Sequence, residues 1–203
     1  MNEPNNRLKN RLTILLVILL FCTPVAVSWW FLHFTDIVEQ GRKSSHGDLI
    51  IPPRPLPNLV LLDPLSENRR GGLHGKWSLF YIAQGGCDQA CKQNLYRMRQ
   101  LRLTAGKDDL RIQRVLLVTL VDQSIPAQTF TEYEGQWTVA TDDIDVNKLL
   151  ENFRLTETDR PASMQRLYII DPLGNLMMSY PPNTNPAGII KDLRKLLKNS
   201  KIG

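Results

Sequence analysis

Cysteine and histidine are scarce here, three of each in 203 residues. So few cysteines exclude a disulfide-dense scaffold, in which bridges replace a hydrophobic core. Charge of one sign is not concentrated either. The 25 Lys and Arg residues and 20 Asp and Glu residues leave a formal charge of only +5, and the two signs alternate along most of the chain. A nucleic-acid surface needs basic residues gathered on one face with aromatic or polar readers among them. Scattered charge offers no such face, so nucleic-acid binding is not expected. Internal repeats and low-complexity tracts are also lacking. What remains, 42% hydrophobic and 22% charged, is the composition of one ordinary globular domain with room for a targeting segment.

One stretch has no charge at all. Residues 12–34, LTILLVILLFCTPVAVSWWFLHF, contain no Asp, Glu, Lys or Arg. As a helix they reach roughly 34 Å, against about 30 Å of bilayer hydrocarbon. Arg7, Lys9 and Arg11 precede the run, while Asp36 and Glu39 follow it. That asymmetry holds residues 1–11 in the cytoplasm and exports everything after the span. Ala26-Val27-Ser28 offers a rival reading as a signal-peptide cleavage site, but the apolar run continues beyond it, which favours a retained anchor. Both readings export the remainder to a compartment where disulfides persist. Cys22, inside the run, reads as an apolar residue among lipids.

Residues 35–62 carry Pro52, Pro53, Pro55 and Pro57 and read as an extended tether, with Leu59 to Leu62 a candidate edge strand. The folded domain is then expected over 63–203. Trp77 to Ala83 is apolar at nearly every residue, as in a strand buried on both faces. A helix follows from Asp88 to about Thr104, with Leu95, Met98, Leu101 and Leu103 expected inward. Val115 to Val121 is a second buried strand. Asp142-Asp143 are expected to cap a short helix ending near Phe153. Leu167 to Ile170 and Leu176 to Tyr180 flank a Pro- and Gly-containing turn and predict a hairpin. A closing helix starts at Pro186, capped by Asn185. The order β-α-β-α-β-β-α is that of a thioredoxin-like α/β fold, a sheet flanked by helices.

Cys87 and Cys91 form a CxxxC at the joint between the first buried strand and its helix. Unpaired N–H groups and about half a positive charge at a helix start stabilise a thiolate, and Gly85-Gly86 leave the first sulfur accessible. A thiolate attacks disulfides and binds soft metal ions, so the pair suits exchange or Cu(I). Cα atoms of a disulfide lie about 4.4–6.8 Å apart, so residues i and i+4 close a bridge if the first helical turn loosens. A purely structural bridge is the bland alternative, though so short a loop constrains the unfolded chain little. In exchange, Cys87 is expected to attack and Cys91 to resolve.

The stretch from Leu73 to Ile82, the Cys87-x3-Cys91 spacing and Leu167-Tyr168-Ile169-Ile170-Asp171-Pro172-x-Gly174 together resemble the Sco/SenC family. The resemblance spans roughly residues 55–200. It implies a membrane-tethered, thioredoxin-like assembly factor for the copper centre of cytochrome c oxidase. Its expected partners are an oxidase subunit or its copper-delivery proteins, and its expected place is the periplasmic face of a bacterial inner membrane. Family members complete a copper site with a histidine just before the hairpin, and here that segment reads Pro161-Ala162-Ser163-Met164-Gln165-Arg166. The histidine position falls on or beside Ser163. His33 lies in the apolar run and His46 in the tether, and His74 stands roughly 23 Å from the sulfurs along the strand. None is a replacement. Met164 is the one nearby soft side chain, a weak candidate for Cu(I) and more simply a core residue. Cu(II) prefers nitrogen and oxygen ligands, so the missing imidazole shifts weight from copper delivery toward thiol–disulfide exchange. A tethered oxidoreductase with other exported clients and a non-catalytic binding module remain alternatives.

Overall fold

A computed structural model describes residues 4–34, 45–66, 68–119, 125–142, 144–200 and 202. The chain divides into two units, Met1–Ser44 and Ser45–Gly203. In the first, helix α1 (Pro4–Phe34) contains Pro24. Its Arg11–Trp30 stretch has mean hydropathy 2.4, long and apolar enough to cross a membrane.

The second unit is built on one eight-stranded sheet. In chain order the strands are β1 (Asp48–Pro55), β2 (Val60–Leu62), β3 (Arg69–Gly71), β4 (Trp77–Ala83), β5 (Ile112–Val118), β6 (Gln136–Val139), β7 (Leu167–Ile170) and β8 (Asn175–Tyr180). Across the sheet they lie β1-β8-β7-β4-β5-β6-β2-β3. Strands β4, β5 and β6 run parallel, while β7 is antiparallel to β4 and β8 to β7. All seven residues of β4 are buried, as its almost wholly apolar sequence requires of a central strand covered on both faces.

Helices α2 (Gln89–Thr104) and α4 (Pro186–Asn199) cover one face. There Leu95, Met98 and Leu101 of α2 and Ile189, Leu193 and Leu197 of α4 pack on Trp77, Leu79 and Tyr81. The short helix α3 (Val146–Glu151) belongs to the opposite face, where Phe80, Ile82, Val115 and Leu117 meet Phe153 and Tyr168. Phe153 stacks on Phe80 at 5.1 Å and meets Tyr168 edge-on at 4.9 Å. Each such contact adds about 0.5–1.5 kcal/mol beyond the area it buries.

Five expectations need correction. The segment expected to be a tether over 35–62 is part of the domain from Ser45 onward. Pro52, Pro53 and Pro55 lie in β1, a sheet edge, where a residue without an N–H leaves no ladder bond unmade. Residues 35–44 lie outside the described residues. His46, expected in the tether, is exposed but tied to the domain: its backbone N–H donates to Asp192 Oδ2 at 2.7 Å, and its Nδ1 lies 3.1 Å from Oδ1. Leu103 is 56% exposed rather than inward, because α2 turns its last apolar residue past the core. The cap of α3 is Asp145, whose side chain accepts from the Lys148 N–H, rather than Asp142 or Asp143. The second central strand begins at Ile112, and residues 120–124 of the expected span lie outside the described residues.

Candidate redox site

Strand β4 ends at Ala83, and Gly85, at φ 93°, turns the chain in a conformation that a side chain disfavours. Asp88 then caps α2 from extended backbone, and its Oδ1 accepts from the Cys91 N–H at 2.8 Å. The carboxylate satisfies one of the helix's orphan donors. Cys87 therefore lies outside the helix and Cys91 in its first turn, so the i to i+4 pair does not span a regular turn. Their Cα atoms are 5.0 Å apart and the sulfurs are bonded. The expected loosening of the first turn is thus met by starting the helix after Cys87. Cys91 is 1% exposed, and half-buried Cys87 packs against the same apolar cluster. Of the two sulfurs, the outer one belongs to Cys87.

Beside the bridge is a cavity of about 160 Å³. Tyr81 lines it from β4, Asp88 and Cys91 from the start of α2, and Ala162, Ser163 and Gln165 from the segment before β7. The segment from which the histidine is missing therefore does face the cysteines, and it brings a hydroxyl and an amide. Gln165 has φ 51°, unique among the described non-glycine residues, a left-handed conformation that costs of order 1–3 kcal/mol and clusters at functional sites. It persists because its neighbour is fixed: Arg166 Nε donates to Ser179 Oγ at 2.5 Å, and its guanidinium pairs with Asp48.

Tyr81 was not singled out from the sequence. Burial pushes its phenol pKa upward and nearby Asp88 adds to this, while a hydrogen bond with the Asn94 amide opposes both. Asn94 in turn donates from Nδ2 to Ala90 O at 3.1 Å. A tyrosine in an apolar strand carries no chemical signature in sequence; only its place beside the cavity distinguishes it. Asp88, expected as the first helical residue, is instead the cap of α2, a role that an aspartate directly before a helix signals.

The other expected residues are dispersed. Met164 is half-buried and does not line the cavity, its N–H donating to Pro161 O at 3.4 Å. The His74 ring lies against Gly174 in the β7–β8 turn, in keeping with a loop-supporting role. The side chain of His33 lies outside the described residues. Met178 faces inward and Met177 is half-buried. Among the described residues, no three His, Cys, Asp or Glu side chains gather as a metal-holding group. The site's soft donors are the two sulfurs. They do not fit a Cu(II) centre that needs nitrogen, whereas in the reduced state they fit two-coordinate Cu(I).

Comparison with known proteins agrees with this architecture. No curated protein matches the sequence. Solved structures do match the fold. Copper-bound ScoI of Bradyrhizobium japonicum has TM-score 0.54 at 15% identity, covering 70% of this chain and 98% of its own. Copper-bound yeast Sco1 has TM-score 0.55 at 17% identity, covering 73% and 91%. BsSco, a cytochrome c oxidase assembly protein with an identified disulfide switch, has TM-score 0.53 at 12% identity, covering 73% and 96%. At such identities the likeness establishes a shared Sco-type fold. A family model described as the transmembrane-like, thioredoxin-like, C-terminal domain matches residues 77–200. From the first central strand to the end of α4, then, this chain belongs to that thioredoxin-like family.

Proposed function

We propose that this protein is a Sco-like, membrane-anchored thiol–disulfide exchange factor that serves cytochrome c oxidase assembly from the periplasmic face of a bacterial inner membrane. One observation carries the proposal: a Cys87–Cys91 bridge at a helix start, with Cys87 outermost and a histidine-free wall across the adjoining cavity. The apolar helix α1 supports anchoring. The oxidase assignment draws on the Sco-type fold and on the role printed for BsSco.

The chemistry follows from the geometry. In the reduced protein the Cys87 thiolate attacks one sulfur of a client disulfide, and the other client sulfur leaves with the electron pair. Cys91 then attacks Cys87 Sγ, closing the bridge and releasing the client as a dithiol. Two electrons and two protons pass from the Cys87–Cys91 pair to the client. The helix terminus favours the Cys87 thiolate on which the first step depends. Cu(I), as cargo rather than a resident cofactor, can be held between the two reduced sulfurs. Ser163 and Gln165 add only hard oxygen and amide donors, which favours release over storage.

The reduction potential of the pair in the full-length protein tests this reading. A value between about −300 and −120 mV, the range of exchange-active pairs, is expected. A value well below −300 mV that Cu(I) does not shift means a structural bridge. Cys91→Ser should trap a mixed disulfide with clients through Cys87, and Cys87→Ser should trap none. Titration of the reduced protein against a Cu(I) chelator decides the cargo role: no transfer at micromolar copper removes it.

A further inference from the structure

Opening the bridge creates an anion in an unfavourable place. When a client thiolate attacks Cys87 Sγ, a new S–S bond forms there. The Cys87–Cys91 bond breaks, and the electron pair leaves on Cys91 Sγ. Cys91 is 1% exposed, packed among Leu95, Met98 and other apolar side chains. Burial penalises a thiolate. The nearest acidic group adds to the problem, because the Asp88 carboxylate is already bonded to the Cys91 N–H. A leaving group so placed needs a donor.

We propose that Tyr81 is that donor, its phenol O–H hydrogen-bonding the Cys91 thiolate as the bridge opens and holding it until a proton arrives through the cavity. This rests on the exchange reading above. Tyr81 is 2% exposed and lines the same cavity as Cys91. Its hydroxyl is bonded to the Asn94 amide, whose effect is to lower the phenol pKa, as a donating N–H does. A hydroxyl that accepts from an amide still has its own proton to give. Burial and Asp88 prevail, holding the phenol above its ordinary pKa, so it stays protonated across the range in which thiols titrate. It donates without ionising.

Two further donors line the cavity, the Ser163 hydroxyl and the Gln165 amide on the facing segment, and Ser163→Ala and Gln165→Ala serve as controls that should leave the Cys91 titration unchanged. The charged and phenolic groups nearby do not supply this bond. Asp88 is an acceptor, and Lys92 of α2 is solvent-exposed. The Tyr133 hydroxyl is committed to Lys92 O at 3.4 Å. On α4, Asp192 is engaged by His46 and by the Tyr180 hydroxyl. In the reverse reaction the same Tyr81 bond favours ionisation of Cys91 for its attack on the mixed disulfide.

The test uses full-length protein in detergent with Cys22→Ser and Cys87→Ser, leaving Cys91 as the sole thiol. Its ultraviolet thiolate absorbance is followed against pH. Tyr81→Phe keeps the ring and removes the donor, and should cut the thiolate fraction at a given pH by at least about tenfold, the worth of one hydrogen bond to a charged group. Asn94→Ala, which removes the bond that polarises the phenol, should produce a smaller decrease in the same direction. With both cysteines present, Tyr81→Phe should slow reduction of the bridge by a small thiol by a similar factor. An unchanged Cys91 titration in Tyr81→Phe overturns the proposal, whatever the protein's clients prove to be. Conversely, absence of client exchange in the wild type removes the proposed function while leaving this titration readable.

Discussion

At the residue scale, the site depends on how few side chains are asked to do several things. Asp88 caps α2, borders the cavity and raises the Tyr81 pKa. Replacing it with Ala should cost about 0.5–2 kcal/mol through the lost cap. The loss should be larger in the reduced protein, since the disulfide staples the same turn in the oxidised one; denaturant titration of the two redox states checks this. Ser163 offers a different handle. Because it lines the cavity beside Cys91, Ser163→His should place a nitrogen donor next to the sulfurs and raise affinity for Cu(II) in the reduced protein. Visible charge-transfer absorption on copper addition reads the outcome; none in the variant would mean that the segment cannot bring a side chain to the pair.

At the scale of elements, β1 shows how a proline-rich segment becomes structural. Its pairing with β8 is irregular between Leu49 and Arg54, the stretch that holds Pro52 and Pro53. Its entry is held by side chains instead: His46 on Asp192, and Asp48 on Arg166. Asp192 is 5% exposed and also accepts from the Tyr180 hydroxyl at 3.2 Å. Asp192→Ala leaves the Tyr180 hydroxyl and the His46 N–H without that partner. A loss of about 1–3 kcal/mol is expected, with earlier amide exchange at residues 46–50 as the local signature. The prolines were readable in sequence. That they occupy an edge was not, because an edge is a property of the strand order.

At the scale of the whole molecule, burial of phenols sets an alkaline limit. Burial raises the pKa of Tyr168 to about 12 and also raises those of Tyr180, Tyr81 and Tyr133. Between the unfolded value near 10 and these folded values, the native state binds more protons than the unfolded chain. Stability is therefore full below about pH 10 and falls as pH rises through the folded pKa values. Arg114 acts oppositely: burial lowers its pKa to about 10, so the cost of its buried charge is relieved as pH rises. Burial lowers the Arg70 pKa as well, and four phenols against two guanidiniums give a net loss. Cooperative unfolding above about pH 10, with phenolate absorbance rising in the same transition, is the expected result. Gradual phenolate titration without unfolding would contradict it.

The sequence by itself determined the apolar span, the buried character of β4 and the placement of a cysteine pair where a strand meets a helix. These are local matters, set by hydrophobic period, turn residues and chain direction. Strand β6 escaped notice because Gln136 to Val139 has no apolar run; its parallel pairing with β5, not its composition, makes it a strand. The site's surroundings were likewise beyond sequence. Ala162, Ser163 and Gln165 stand beside Cys91 only because β7 pairs antiparallel with β4, and Tyr81 meets it only because alternate residues of β4 face α2. Local pattern fixes which atoms can react. The long-range pairing of strands decides what stands next to them, since contacts between residues so far apart in the chain exist only once the sheet has formed.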